Sequence, residues 1–377
     1  MHTVSIKKCG SYEKEAVQKA VADAVSLLGG MDRFVKRGER VLVKPNLLAA
    51  KPPEAAVTTH PQVVRAVLAL LKDAGAAPVV GDSPGLGSAR KAAEKGGILA
   101  VCLEMGVELI ELKELLIADN PKGRTFKKLE VAREAVECGS IINVPKLKTH
   151  AQMHLTMAVK NMFGCVPGKL KPQWHLSAGV QSQSFASMLL DLYLFLSPRL
   201  SIMDAVTAME GNGPGSGDPR HVGLIFAGQS PVALDLTASA VVGASVDDVP
   251  LLKAARLMGM SEAEPSNIRV LGEAIEDVRV AGFKFPPISS TNFTERLPAF
   301  LDRQLRKALT GRPHIKNSQC TLCGICVSVC PAEVMENTGK IEISYDRCIR
   351  CYCCQEMCPE GAISVRDGWL KRLIPGL

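Results

Sequence analysis

Aromatic side chains are scarce. Rings make up 4% of the 377 residues, with two tryptophans among them. Proteins that grip single strands of nucleic acid stack the bases on such rings, so no nucleic-acid partner is expected. Long apolar runs are missing as well. The best candidate, SMLLDLYLFL, falls well short of the roughly 20 residues a bilayer-spanning helix requires and contains Asp191, so no transmembrane segment is expected. The first residues, MHTVSIKKCG, hold no apolar stretch followed by a small-residue cleavage site. A cytoplasmic location is the expectation.

Cysteine, by contrast, is abundant, and in one place. Nine of thirteen cysteines lie between Cys320 and Cys358. In a small secreted protein that density would mean disulfides, but without a signal peptide it points to metal. The pattern CxxCxxCxxxCP occurs twice. Cys320, Cys323, Cys326 and Cys330 with Pro331 recur as Cys348, Cys351, Cys354 and Cys358 with Pro359. Three thiolates two residues apart wrap one face of an iron–sulfur cube, and the fourth ligand must come from elsewhere. Zinc is the alternative, and it more often takes two separated pairs.

From Lys316 to about Val365 the segment resembles bacterial-type two-cluster ferredoxins, in which the fourth cysteine of each run crosses to the other cluster. The resemblance implies two [4Fe-4S] clusters and one-electron transfer at low potential. One cluster is then held by Cys320, Cys323, Cys326 and Cys358, the other by Cys348, Cys351, Cys354 and Cys330. Cys353 is left over, and a buried apolar contact is its expected role.

The formal charge of +7 lies wholly in the larger part, since seven basic and seven acidic residues balance from Ile315 onward. Basic clefts gather anions. The expected organisation is an α/β domain over 1–292, a connecting amphipathic helix over 293–313 with Leu297, Leu301, Leu305 and Leu309 on one face, the two-cluster module over 314–368, and a docking tail over 369–377.

Short β-branched runs alternate with helical patterns in the larger part. This predicts an α/β fold, an open and mostly parallel sheet with helices on both faces, joined to a small α+β ferredoxin-like domain. The expected strands are TVSIKK, RVLVKPN, PVVGD, VELIEL, SIINV, LSIMD and VGLIFAG. The expected helices run from Glu13 to Leu28, Gln62 to Ala74, Phe185 to Leu196 and Val232 to Val242.

Polar residues collect where those strands end. Lys44 and Asn46 follow VLV, Asp82 follows PVVG, Lys146, Lys148 and His150 follow SIINV, and Asp204 follows SIM. In open parallel sheets, ligands bind outside the carboxyl ends of the strands. A solvated lysine or a turn aspartate is the plain reading of any one of these, but four strands delivering such groups predict one crevice. Lys160 and Asn161 follow in KNMFGCVPG. The glycine-rich MEGNGPGSGDP is expected to be irregular: a backbone-amide wrap around a ligand, a lid or a plain turn. His150 and His154, four apart, with His175 as a third, would suit a metal if they shared a helical face. A hydrogen-bonded histidine or a proton donor is the favoured reading. Cys165 is read as an apolar contact rather than a nucleophile.

The stretches VLVKPNL, GDSPG, NVPKLKTH, KNMFGCVPG, QWH, MDAVTAMEGNGP and SPVALD occur in that order between Val41 and Gly243. They resemble the family catalogued as domain of unknown function 362. Its members often carry a ferredoxin-type tail, so the resemblance implies an architecture and an iron–sulfur association without naming a reaction.

Together these features predict an iron–sulfur reductase that passes electrons from two clusters to an anionic substrate or cofactor in the crevice. Lys44, Lys146, Lys148 and Lys160 would hold the anion, and Asn46 and Asn161 would orient it. Asp82 and Asp204 would position a lysine or a metal, and His150 would donate the proton that accompanies reduction. A flavin would link one- and two-electron steps, yet the sequence shows no flavin motif. The competing readings are a non-enzymatic electron carrier whose basic domain docks a redox partner protein, and a ligand-binding or assembly protein with structural clusters. Lysines turned into a concave pocket favour the enzyme, whereas an outward flat patch favours docking.

Overall fold

The computed structural model describes residues 1–179, 181–286 and 311–368. In the larger part the chain forms β1 (His2–Lys8), β2 (Arg40–Pro45), β3 (Ala77–Asp82) and β4 (Glu108–Glu111). A separate ribbon pairs β5 (Leu115–Asp119) with β6 (Lys128–Ala132). Then come β7 (Ser140–Val144), β8 (Lys146–His150), β9 (His154–Thr156), β10 (Leu200–Glu210), β11 (Asp218–Gly228) and β12 (Ile268–Gly272). Apart from the ribbon these make one sheet, ordered β12-β1-β11-β10-β7-β2-β3-β4, with β8 against β10 and β9. The run β10-β7-β2-β3-β4 is parallel, whereas β11 lies antiparallel to both β1 and β10.

Side-chain alternation along the strands feeds three apolar clusters. Val41, Val43, Ile142 and Val144 join the layer that helices Lys14–Ser26 and Pro61–Asp73 cover, while Leu42 and Ile141 fall in a different cluster. Helices Ser182–Leu196 and Pro231–Val242 belong to the largest layer, with Met203 and Phe226. The result is an α/β sheet with helices on both faces. All four expected helices form, with ends shifted by at most three residues. Pro61 and Pro231 open two of them at a position where no amide donor is needed, and the Ser230 hydroxyl accepts from Ala233 N.

Two differences from the sequence reading bear on the candidate site. The strand expected to stop at Asp204 continues to Glu210, because β11 and β8 supply ladder partners on its two sides. Lys146–His150, expected as a loop, is itself a strand, in which Lys146 pairs in register with Asp204.

In the small module, β13 (Arg312–Ile315) pairs with β16 (Ile363–Arg366) and β14 (Met335–Asn337) with β15 (Ile341–Ile343). Short helices span Ile325–Ser328 and Cys353–Glu356. Most of the expected connecting helix and the tail over 369–377 lie outside the described residues, and Arg312 and Pro313 belong to a strand rather than to that helix. Among the described residues, no helix is long and apolar enough to cross a membrane.

Candidate functional site

Beyond the carboxyl ends of β2 and β3, and beside β8, lies a cavity of about 760 Å³, mouth included. Its walls come from both parts of the molecule: Lys44, Asp82, Lys148 and Lys160 from the sheet side, Val329, Cys353, Glu356 and Met357 from the cysteine-rich module.

Lys44 Nζ stands 2.8 Å from Asp82 Oδ1 and donates to Pro45 O at 2.7 Å. Asp82 also accepts from Leu47 N at 2.7 Å and Ser83 N at 2.8 Å. These bonds offset the desolvation that would otherwise make a buried ion pair unfavourable. Gly164 lies against the pair, and a Cβ there would overlap both side chains. Cys165 is fully buried, and burial pushes its thiol up to about 12, so it is no nucleophile.

Lys148 heads a chain of amides. Its Nζ donates to Asn46 Oδ1 at 2.8 Å; Asn46 Nδ2 donates to Asn161 Oδ1 at 3.0 Å; Asn161 Nδ2 donates to Asn143 Oδ1 at 2.8 Å; and Asn143 Nδ2 donates to Ala158 O at 2.9 Å. The second bond from Lys148 goes to Val57 O, at 2.7 Å. Among the described residues no carboxylate lies within ion-pair distance of this ammonium. Burial, aided by the nearby Lys160, holds its pKa well below that of a free lysine.

Lys160 and Lys171 both approach the Phe163 ring, at 6.0 and 5.6 Å from its centroid. Burial holds Lys171 down to about 8. His175 lines the cavity and stacks on Phe185 at 4.1 Å; its Nδ1 is buried without a partner, and burial lowers its pKa to about 3.

His150 sits behind Glu356, with Nε2 at 2.6 Å from Oε1. Its Nδ1 accepts from Gln152 N and Met153 N, at 3.1 and 3.2 Å. A nitrogen that accepts two amide protons carries the lone pair, so the ring is neutral with its proton on Nε2. Burial, with Lys160 nearby, lowers its pKa to about 4. The ring therefore holds Glu356 in place and is poorly suited to donating a proton, contrary to the sequence reading. Burial alone would raise the Glu356 carboxyl, but Lys160 and His150 overcome it and hold the group well below the ordinary glutamate range.

Lys146 and Asp204 do not line this cavity. They form a second pair, 2.8 Å apart, within the β8/β10 ladder. Tyr12 hydroxyl donates to Asp204 Oδ1 at 2.7 Å, Lys146 Nζ lies 2.7 Å from that hydroxyl, and His60 N donates to Asp204 Oδ2 at 2.8 Å. Tyr12 in turn stacks on His60 at 3.5 Å. The expectation that all four strand-end residues share one hollow is corrected for Lys146 and Asp204, because their strands run on past the point where the sequence pattern seemed to end.

The less favoured metal reading of the histidines needed a shared helical face, which the structure does not provide. His150 and His154 face one another across the β8/β9 hairpin instead of sharing a helix, and His154 stacks on Phe285 at 4.6 Å. Among the described residues no three His, Cys, Asp or Glu side chains converge on a single-ion site.

The glycine-rich stretch turns out to be the saddle of the small module. Residues 211–217 join β10 to β11. Gln355 Nε2 reaches Asn212 O, Asn212 Oδ1 and Gly213 O at 3.0–3.1 Å, and Asn212 Nδ2 donates to Ile363 O at 3.1 Å. A Cβ on Gly215 would come within 3.0 Å of Glu356 O, and Ser216 packs on Gly361. The carbonyls of Asn212 and Gly213 there accept from protein, while Pro214 lines the cavity.

The signal for Glu356 was present between the third and fourth cysteines of each repeat. The first run reads Cys326-Val327-Ser328-Val329-Cys330, the second Cys354-Gln355-Glu356-Met357-Cys358. The second run replaces Val327 and Ser328 with the two polar side chains that dock the module.

The cysteines gather in two hollows. Cys320, Cys323, Cys326 and Cys358 line one, and Cys330, Cys348, Cys351 and Cys354 line the other. The crossed grouping is the one that the ferredoxin resemblance implied. Apolar residues such as Ile341 and Ile363 in the first and Val334 and Ile343 in the second complete the walls. Val334 N lies 3.5 Å from Cys330 Sγ, a donor suited to a thiolate ligand. Thiolates spread around a hollow, rather than converging on a point, fit a cube better than a zinc ion.

A family described as Domain of unknown function (DUF362) matches residues 41–240, and one described as 4Fe-4S dicluster domain matches residues 312–359. The thylakoid-associated protein sll1697 of Synechocystis sp. is 40% identical over 259 residues, 69% of this chain and 80% of that protein. Among solved structures, the lactate racemase apoprotein from Thermoanaerobacterium thermosaccharolyticum is similar with a TM-score of 0.41 and 11% identity, over 63% of this chain and 57% of that one.

Proposed function

Because this chain belongs to the domain of unknown function 362 family and is an iron–sulfur protein of the 4Fe-4S dicluster type, we propose that it is a reductase acting on an anion bound in the cavity between its two parts. The division into an α/β domain over 1–292 and a two-cluster module over 314–368 is part of that proposal. In it, each cysteine-lined hollow holds one [4Fe-4S] cluster, which when bound supplies electrons one at a time.

The observation that carries the reading is the position of Glu356 and Met357. They sit between the cluster ligands Cys354 and Cys358 and at the same time form a wall of the lysine-lined cavity. A bound molecule there would be within a residue or two of the ligands. Lys148 and Lys160 hold the anion, Lys44 with Asp82 shapes one wall, and the chain Asn46, Asn161, Asn143 fixes where Lys148 points. His150 keeps Glu356 oriented. Lys146 and Asp204 serve the sheet rather than the substrate, and the proton for reduction comes from a partly exposed group, for which Lys160 is our choice.

Anaerobically purified protein should contain iron and sulfide at about eight of each per chain. Chemically reduced protein should then be reoxidised by the small-molecule ultrafiltrate of a cell extract, and this reoxidation should be lost in Lys148→Met. Reoxidation by the retained macromolecules alone would instead establish the carrier reading. That alternative draws on Cys323, an exposed ligand at the module's outer face, through which a redox partner protein would exchange electrons. We place the chain in the cytoplasm. The name of the Synechocystis relative raises membrane attachment as the alternative, which fractionation of the host cell decides.

A further inference from the structure

Resting on the proposed reading of the cavity as a substrate site, we infer that the substrate is a small organic carboxylate with an apolar body, and not a phosphate ester. Three observations support this.

The first is charge. Four lysines (Lys44, Lys148, Lys160, Lys171) and two carboxylates (Asp82, Glu356) line the cavity, a surplus of two positive groups. Asp82 is committed to Lys44, and Glu356 is committed to His150. Lys148 makes two hydrogen bonds to neutral acceptors and is buried. An anion bound beside it would favour the charged form of the amine and accept its third proton.

The second is the state of the backbone. Phosphate groups are typically cradled by free amide N–H groups in glycine-rich turns or at helix N-termini. Around this cavity four such donors are already used. Asn46 N donates to Thr59 Oγ1, Leu47 N to Asp82, Ser83 N to Asp82 and Gly164 O, and Gly168 N to Ser83 Oγ. In the glycine-rich 211–217 turn, Gly211 N donates to Lys284 O and Gly213 N to Thr149 Oγ1. What remains for an anion is lysine side chains, which suit the two oxygens of a carboxylate.

The third is the apolar share of the lining. Leu48, Pro84, Pro172, Pro214 and Met357 are apolar, so the part of the ligand away from the lysines is apolar as well. The unpartnered, buried Nδ1 of His175 offers one polar contact on that body.

The test uses the intact, anaerobically prepared protein and three probes of like shape: benzoate, phenyl phosphate and benzyl alcohol, titrated by calorimetry. Benzoate should bind, and tighter than the other two by about tenfold or more. Both Lys148→Met and the less buried Lys160→Gln should weaken benzoate by a similar factor, with the cluster absorbance unchanged. If phenyl phosphate binds as tightly as benzoate, the carboxylate assignment falls while the reductase reading stands. If benzyl alcohol does, the anion requirement itself falls. If no probe binds, or if neither lysine variant changes benzoate affinity, the site is wrongly placed. Binding of benzoate together with failure of the ultrafiltrate to reoxidise the clusters would overturn the reductase reading and leave the carboxylate site standing.

Discussion

Two buried lysine–aspartate pairs, each with nitrogen and oxygen 2.8 Å apart, stand at the heart of this molecule and have opposite surroundings. Lys146 and Asp204 lie inside a strand ladder, closed off by Tyr12 and His60. Lys44 and Asp82 lie at the mouth of β2 and β3, with a cavity on one side and Gly164 on the other. The first pair is a way of keeping polar atoms satisfied within a sheet, and the second shapes a cavity wall. Depth and distance are shared, so neither separates structural from functional charge. What separates them is whether the remaining side of the pair faces protein or space.

Disrupting the sealed pair should have the largest effect. Asp204→Ala leaves an uncompensated ammonium inside the sheet and should cost about 3–5 kcal/mol of stability, while Lys146→Met combined with Asp204→Leu should recover most of it. Denaturant titration measures both. Benzoate affinity in the folded Asp204 variant should stay within about twofold of the parent, and a larger loss would erase the distinction between the two pairs.

At the open pair the expectation reverses. Gly164→Ala forces a methyl group onto Asp82 and Lys44 and should cost about 1–3 kcal/mol, with benzoate binding lost before the fold is. A variant that binds normally would show that the pair does not shape the wall.

Acid sensitivity sharpens the contrast on the cavity side. The His175 pKa is about 3 in the folded protein, below its ordinary value, so the unfolded chain takes up more protons in between. The stability contributed by neutral His175 is fully present above about pH 6.5 and is lost progressively as pH falls towards 3. His175→Phe keeps the stack on Phe185 and should flatten that decline in the denaturation midpoint. An unchanged slope would assign the acid sensitivity to His150 and His60, both held near 4 by burial.

The smallest effect is expected at the saddle. Gln355→Ala removes a donor from Asn212 and Gly213 and should cost about 1 kcal/mol, read as faster amide exchange over 211–217. Exchange as slow as in the parent would mean that backbone packing alone seats the module.

Much of this was legible in the residues. The alternation of β-branched runs with helical patterns led to the right class of fold because it depends on local periodicity, and the ferredoxin resemblance carried by the cysteine runs implied the crossed grouping. What was not legible depended on contacts remote in sequence. Nothing around Asp204 announces that β10 runs on to Glu210, since that extension exists because β8 and β11 flank it. Nothing in the glycine-rich stretch names its occupant, because Gln355 lies 143 residues away from Asn212. His150 read as a proton donor because a sequence shows the imidazole but not the two amides that fix its tautomer.

The saddle at residues 211–217 has an evolutionary corollary. A freely diffusing ferredoxin could deliver electrons to this fold, but it would not bring a glutamate and a methionine to finish the pocket. On the reading proposed above, fusing the carrier to its client would fix their ratio at one to one. It would also make part of the carrier a wall of the client's pocket, where Glu356 Oε1 stands 2.6 Å from His150 Nε2.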